Sequence, residues 1–236
     1  MSEEDSNNDL PRIVIQRNGP YEVYGAIPLH IQQIIANEQG RSWEWQDGKV
    51  LDSGRSYWLC RCGQSKDKPF CDNSHLTNGF DGTETASRQP YDSLARQFDG
   101  PTLILGDVGS LCANARFCSA MGKIQNLIPN TDDPDVREIV LREVSQCPAG
   151  RLTVFDKITA EKIEHLLTPS IGVVEDIPVS RSGPLWVQGN IPIESADGEV
   201  YEVRNRVTLC RCGASRNKPF CDGSHGRVNF NDGLFD

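Results

Sequence analysis

The sequence predicts an α+β fold: two copies of a small β-rich unit with a different, mixed segment inserted between them. Three observations predict it: a long internal repeat, alternating apolar residues leading into each copy, and a central stretch whose helix signal neither copy contains. Residues 59–75 read LCRCGQSKDKPFCDNSH and residues 209–225 read LCRCGASRNKPFCDGSH, 17 positions that differ at four. The likeness continues upstream, where residues 19–29 align with 183–193.

Between the upstream glycine and the first motif cysteine the copies differ in length, 41 positions from Gly19 to Cys60 against 27 from Gly183 to Cys210. A hairpin tip absorbs such a difference. In the second copy the tip is Ala196-Asp197-Gly198-Glu199, a turn signal between alternating segments. Residues from about 90 to 180 match neither copy. There Asp133 and Pro134 form a helix start, followed by Val136, Ile139, Val140 and Val144 on one face. Apolar runs at 102–105 and 152–155 predict strands on either side, and Gly100-Pro101 and Gly183-Pro184 punctuate the borders. The expected division is a disordered tail at 1–12, a first unit at 13–88, an inserted domain at 89–178 and a second unit at 179–236.

Composition narrows the class. Hydrophobic residues make up 37% and charged residues 24%, which suits a packed core. A net charge of −9 argues against a nucleic-acid binder, which carries a basic field. The acidic opening lacks the basic start and apolar core of a secretory signal, and no apolar run approaches a membrane span. These features predict a soluble, cytoplasmic protein. Nine cysteines in a reducing compartment point to metal or redox chemistry rather than disulfides, and six of them fall in the repeat.

Three thiolates and an imidazole in Cys-x-Cys-x8-Cys-x3-His order are enough to hold metal. Cys60 and Cys62 flank one residue, so an extended backbone can aim both at one centre. Gly63 and Gly213 permit a sharp turn behind them. Cys71 and His75 stand four apart, on one face of a helical turn that Asp72 caps, as Asp222 does in the second copy. Where the second copy has Gly223 the first has Asn73, the next best residue for a left-handed backbone.

Both motifs resemble the CDGSH iron–sulfur (NEET) family, whose pattern Cys-x-Cys-x2-Ser/Thr-x3-Pro-x-Cys-Asp-Gly-Ser/Ala/Thr-His the second copy matches throughout. The first departs only at Asn73. The resemblance implies one [2Fe–2S] cluster per motif, held by Cys60, Cys62, Cys71 and His75 and by Cys210, Cys212, Cys221 and His225. It also implies two units paired about a twofold axis under a shared β-cap, supplied here by one chain as an intramolecular pseudo-dimer and so a monomer. Structural zinc accepts the same four donors. The Pro-x-Cys-Asp-x-Ser-His detail, which zinc does not need, favours iron–sulfur. Arg61, Lys68, Arg211 and Lys218 either offset cluster charge or are solvated surface groups. Ser65 and Ser215 either hydrogen-bond a ligand sulfur or brace their own loop.

The remaining cysteines, Cys112, Cys118 and Cys147, form Cys-x5-Cys, a helix, then Cys-Pro-Ala-Gly. This resembles a divergent single-cluster ferredoxin whose middle cysteine is replaced by Ala115, the ligand set of a [3Fe–4S] or labile [4Fe–4S] cluster. The alternative is buried cysteines acting as small apolar residues. His30 and His165 lack neighbouring ligands, Trp43 and Trp45 alternate as packing residues on a strand, and no catalytic constellation occurs. The expectation is therefore an electron-transfer protein, not an enzyme, acting with a redox partner protein or an apo-acceptor of clusters and with neither nucleic acid nor membrane. The rival readings are cluster transfer or redox and pH sensing, and a zinc-stabilised binding module.

Overall fold

In the first copy the chain runs through β1 (Arg12–Ile15), β2 (Tyr21–Tyr24), β3 (Leu29–Ala36), β4 (Ser42–Leu51) and β5 (Tyr57–Leu59). The inserted segment adds α1 (Tyr91–Leu94), β6 (Arg96–Asp99), β7 (Leu103–Asp107), α2 (Ile124–Leu127), α3 (Pro134–Ser145) and β8 (Leu152–Asp156). The second copy follows with β9 (Ser170–Asp176), β10 (Arg181–Gln188), β11 (Ile193–Glu194), β12 (Arg206–Leu209) and α4 (Ser224–Arg227). This computed structural model describes residues 10–234; residues 1–9 of the expected tail lie outside them.

The two copies exchange strands. One sheet has the order β11-β1-β2-β5 and the other β12-β10-β9-β3-β4. Strand β3 of the first copy runs parallel to β9 of the second, with Leu29 opposite Ile171. Its counterpart β11 runs parallel to β1, with Ile193 opposite Ile13. The repeat aligns Leu29 with Ile193, so the two pairings are the same contact made twice. Alternation drives it: Ile13, Ile15, Tyr21, Val23 and Leu29 bury one face together with Ile171, Val173, Leu185, Val187 and Ile193, in a single core drawn from both copies. Each such side chain contributes roughly 1.5–3 kcal/mol.

The extra residues of the first copy lengthen the β3–β4 hairpin, whose second strand forms the edge of the five-stranded sheet. Trp43 and Trp45 lie on that strand. Trp45 stacks against Trp186 at 4.6 Å and Phe117 at 4.9 Å, and Trp43 receives Arg142 over its ring.

The insert forms a three-stranded antiparallel sheet, β6-β7-β8, packed on α3 through Leu103, Leu105, Val140, Val144, Leu152 and Val154. The predicted helix start is present: the Asp133 carboxylate accepts the Asp135 N–H at 2.9 Å. One border differs from expectation. Residues 170–176, assigned to the insert, are β9 and belong to the sheet of the repeats. The likeness of β9 to β1 rests on strand position rather than on shared residues, so alignment of the copies began only at Gly183.

Candidate metal centres

Each motif leaves a strand and returns beside it. Strand β5 runs into Cys60, whose N–H donates to Pro69 O at 2.8 Å, and the Cys71 N–H donates back to Trp58 O at 2.9 Å. The same two bonds recur at Cys210–Pro219 and Cys221–Thr208, both at 2.8 Å. The peptide before Pro69 and that before Pro219 are both cis. Gly63 and Gly213 turn at φ of 76° and 77°, and Asn73 and Gly223 adopt the expected left-handed backbone at 67° and 79°.

All eight predicted ligands come together as two sets of pairs. Cys60 and Cys62 bring their sulfurs to 3.8 Å, and Cys71 Sγ lies 3.5 Å from His75 Nδ1. The second site repeats this at 3.7 Å for Cys210 and Cys212 and 3.3 Å for Cys221 and His225. Among the described residues no three such side chains gather as around a single ion. Backbone N–H groups aim at the sulfurs: Gln64 at Cys62, Asn73 at Cys71 and Gly223 at Cys221, each at 3.4 Å. These donors favour thiolate, and in each Cys-x-Cys pair the hydrogen bond between the two sulfurs holds one thiol down and its partner up. Burial pushes the Cys71 and Cys221 thiols up. Burial first, and the Arg211 charge second, lowers His225 to about 4, keeping the imidazole in its neutral, ligand-competent form.

The supporting residues resolve the alternatives. Asp72 accepts the Ser74 N–H at 2.9 Å and reaches back to the Lys66 N–H at 2.8 Å; Asp222 does the same for Ser224 and Arg216. The Ser65 and Ser215 hydroxyls donate to Phe70 O and Phe220 O, both at 2.7 Å, so they brace their own loops. Lys68 and Lys218 donate to Ser65 O and Ser215 O. The reading of Arg61 and Arg211 as solvated surface groups fails, since both are 2% exposed. Arg61 donates to Gly82 O, and Arg211 pairs with Glu175 and Asp232.

A family model described as the iron-binding zinc finger of CDGSH type matches residues 18–76 and again 182–226. The chain carries two CDGSH-type domains. They mark it as an iron–sulfur protein. No curated protein and no solved structure matches the chain in the corresponding searches.

The two CDGSH loops stand back to back. A Cβ on Gly63 would lie 2.6 Å from Cys212 O, and one on Gly213 would lie 2.6 Å from Cys62 O. Sequence reasoning missed this approach, and it missed Tyr21. From β2 of the first domain, the Tyr21 hydroxyl reaches Cys210 O at 2.7 Å and Pro219 O at 3.1 Å in the second site. The second copy has Leu185 at the aligned position, so spacing carried no signal.

Between the domains, Cys112, Cys118 and Cys147 line one pocket with Ala115, Pro148 and Arg151. Arg151 is a further residue that sequence reasoning missed. It grips Asp107 through two bonds of 2.6 and 2.7 Å and extends its third nitrogen to Cys112 Sγ at 3.1 Å. In the loop between the first two cysteines Asn114 and Arg116 both hold positive φ, 58° and 67°. Non-glycine residues keep that conformation where the surroundings over-determine it. Arg116 is fixed by a paired contact to Asp176 at 2.6 and 2.7 Å. Burial raises Cys118 to about 11. The pocket abuts the second CDGSH site, because Cys147 and Cys221 pack against the same two alanines, Ala113 and Ala149.

Proposed function

We propose that the protein is an electron carrier with one [2Fe–2S] cluster at each CDGSH site and a third, [3Fe–4S]-type cluster in the three-cysteine pocket. The pairing of donors, two cysteines and then a cysteine with a histidine, carries this reading. A binuclear cluster takes two donors on each iron, whereas zinc gathers all four about one point. When bound, such a cluster supplies a one-electron couple whose potential is raised by imidazole in place of thiolate. The chain's part is to orient the donors and to direct N–H groups at their sulfurs. The reciprocal exchange of β3 and β11 supports an intramolecular pseudo-dimer, hence a monomer, serving a redox partner protein. In the pocket, the Arg151 guanidinium and the strained loop suit a charged occupant better than apolar packing.

A second reading, cluster transfer, draws on the half-buried position of Cys71 and His75. Iron, sulfide and zinc content with visible and EPR spectra tests both. About seven irons per chain with an oxidised [3Fe–4S] signal supports the relay. About four irons without it leaves the pocket empty and favours transfer, and zinc without sulfide overturns the proposal.

A further inference from the structure

Resting on that reading, we propose that the two CDGSH sites have divided roles, set by their Cys–His sides: in the first that side is an open port through which the chain exchanges iron or cluster, and in the second it is closed by a loop. The motifs are nearly identical, but their surroundings are not. Around the Cys–His pair of the first site, Cys71 and His75 are half-buried and Asp72, Asn73 and Leu76 are exposed. In the second, Cys221 is 2% and His225 6% exposed.

The cover is the loop between Cys112 and Cys118. A Cβ on Gly223 would lie 3.2 Å from both Cys112 O and the Asn114 side chain. An asparagine, tolerated at 73 where the side chain meets water, would press on this loop at 223. Leu76 of the first copy is 75% exposed; its counterpart is Gly226, where a Cβ would lie 3.6 Å from Arg181 Nη1 and from Asn114 Nδ2. The departure at 223 thus follows the cover, and at 226 the same loop and Arg181 lie in ordinary contact. The loop is fastened by the Arg116–Asp176 pair and by Phe117, 2% exposed in the aromatic stack with Trp45. Reaching Cys221 and His225 requires this loop to open, and reaching Cys71 and His75 does not; on the Cys-x-Cys side the order is reversed, with Cys62 buried and Cys212 half-buried. Exchange at a sealed site is limited by the population of the opened state.

The test is anaerobic treatment of the native holoprotein with excess iron chelator and iodoacetamide, with visible absorption followed in time and alkylated peptides mapped by mass spectrometry. The expected result is that loss of the two CDGSH clusters separates by about tenfold or more in rate, whatever a cluster in the three-cysteine pocket adds to the absorbance, with Cys71 alkylated in the fast phase and Cys221 in the slow one. Arg116→Ala should accelerate the slow phase and leave the fast phase unchanged. Labelling of Cys221 together with or before Cys71 overturns the division. Zinc in place of iron would overturn the proposed function instead, and the order of labelling would still decide between open and sealed sites.

Discussion

Gly63 lies against Cys212 so closely that a Cβ on the glycine would stand 2.6 Å from the cysteine's carbonyl oxygen, and Gly213 stands in the same relation to Cys62. The neighbour is backbone of a candidate ligand residue, so it cannot yield without moving that cysteine. Gly63→Ala combines that clash with a positive φ and is expected to cost about 2–4 kcal/mol, a fall in Tm of roughly 5–12 °C. Gly198 has positive φ but nothing within 4 Å, so Gly198→Ala should cost only about 1–2 kcal/mol. Thermal melts of the two variants beside the parent check the contrast. Equal losses would mean that close approach of the loops is not what constrains position 63.

Tyr21 binds the second metal loop from the first domain. Tyr21→Phe leaves the ring in place and removes its hydrogen bonds to Cys210 O and Pro219 O, at an expected cost of about 1–3 kcal/mol. The loss should fall on the second site: the slow phase of iron release accelerates while the fast phase holds. Chelator kinetics on the variant read this directly, and an effect confined to the fast phase would contradict the assignment.

The grouping of the candidate ligands was legible because their spacing is covalent: Cys60, Cys62, Cys71 and His75 are placed by one turn and one cap, both encoded within the motif. The helix from Pro134 and the strands around it were legible from local signals. What decides the arrangement of the halves was not. The contact of Leu29 with Ile171 joins residues far apart in sequence, and alternation specifies that Leu29 is buried without saying against which copy. Arg61 and Arg211 show the same limit, since an arginine beside a ligand reads equally as solvated or as buried. The acceptors that decide, Gly82 O and the carboxylates of Glu175 and Asp232, come from elsewhere in the chain.

Glu143 is 1% exposed in α3; one carboxylate oxygen accepts the Met121 N–H at 2.8 Å and the other has no partner among the described residues. Burial raises it from 4.5 to about 7. A carboxyl held above its unfolded value contributes stability that is fully present below pH 4.5 and lost as pH rises through about 7. Between pH 5 and pH 8 the group should therefore weaken folding by about 2 kcal/mol. Glu143→Gln keeps an acceptor without the charge, so the parent and the variant should diverge progressively toward pH 8, with the variant the more stable. Urea melts of both holoproteins across that range test the sign; a parent that gains on the variant toward pH 8 would refute it.

Arg151 links Asp107 to Cys112 Sγ, the contact on which a cluster pocket and a set of buried thiols would differ. A neutral side chain suffices for apolar packing, whereas thiolates around a cluster are stabilised by a nearby cation and donor. Arg151→Gln should therefore lower iron from about seven to about four per chain and abolish the [3Fe–4S] EPR signal, with the absorption of the two CDGSH sites retained. Asp107 would be left partly buried without its partner, so some destabilisation accompanies the change. Arg151→Lys, which restores charge but not the fork, should recover stability more than iron. If both variants keep all their iron, the guanidinium does not support the pocket; if the parent itself has about four irons, the three cysteines are packing residues.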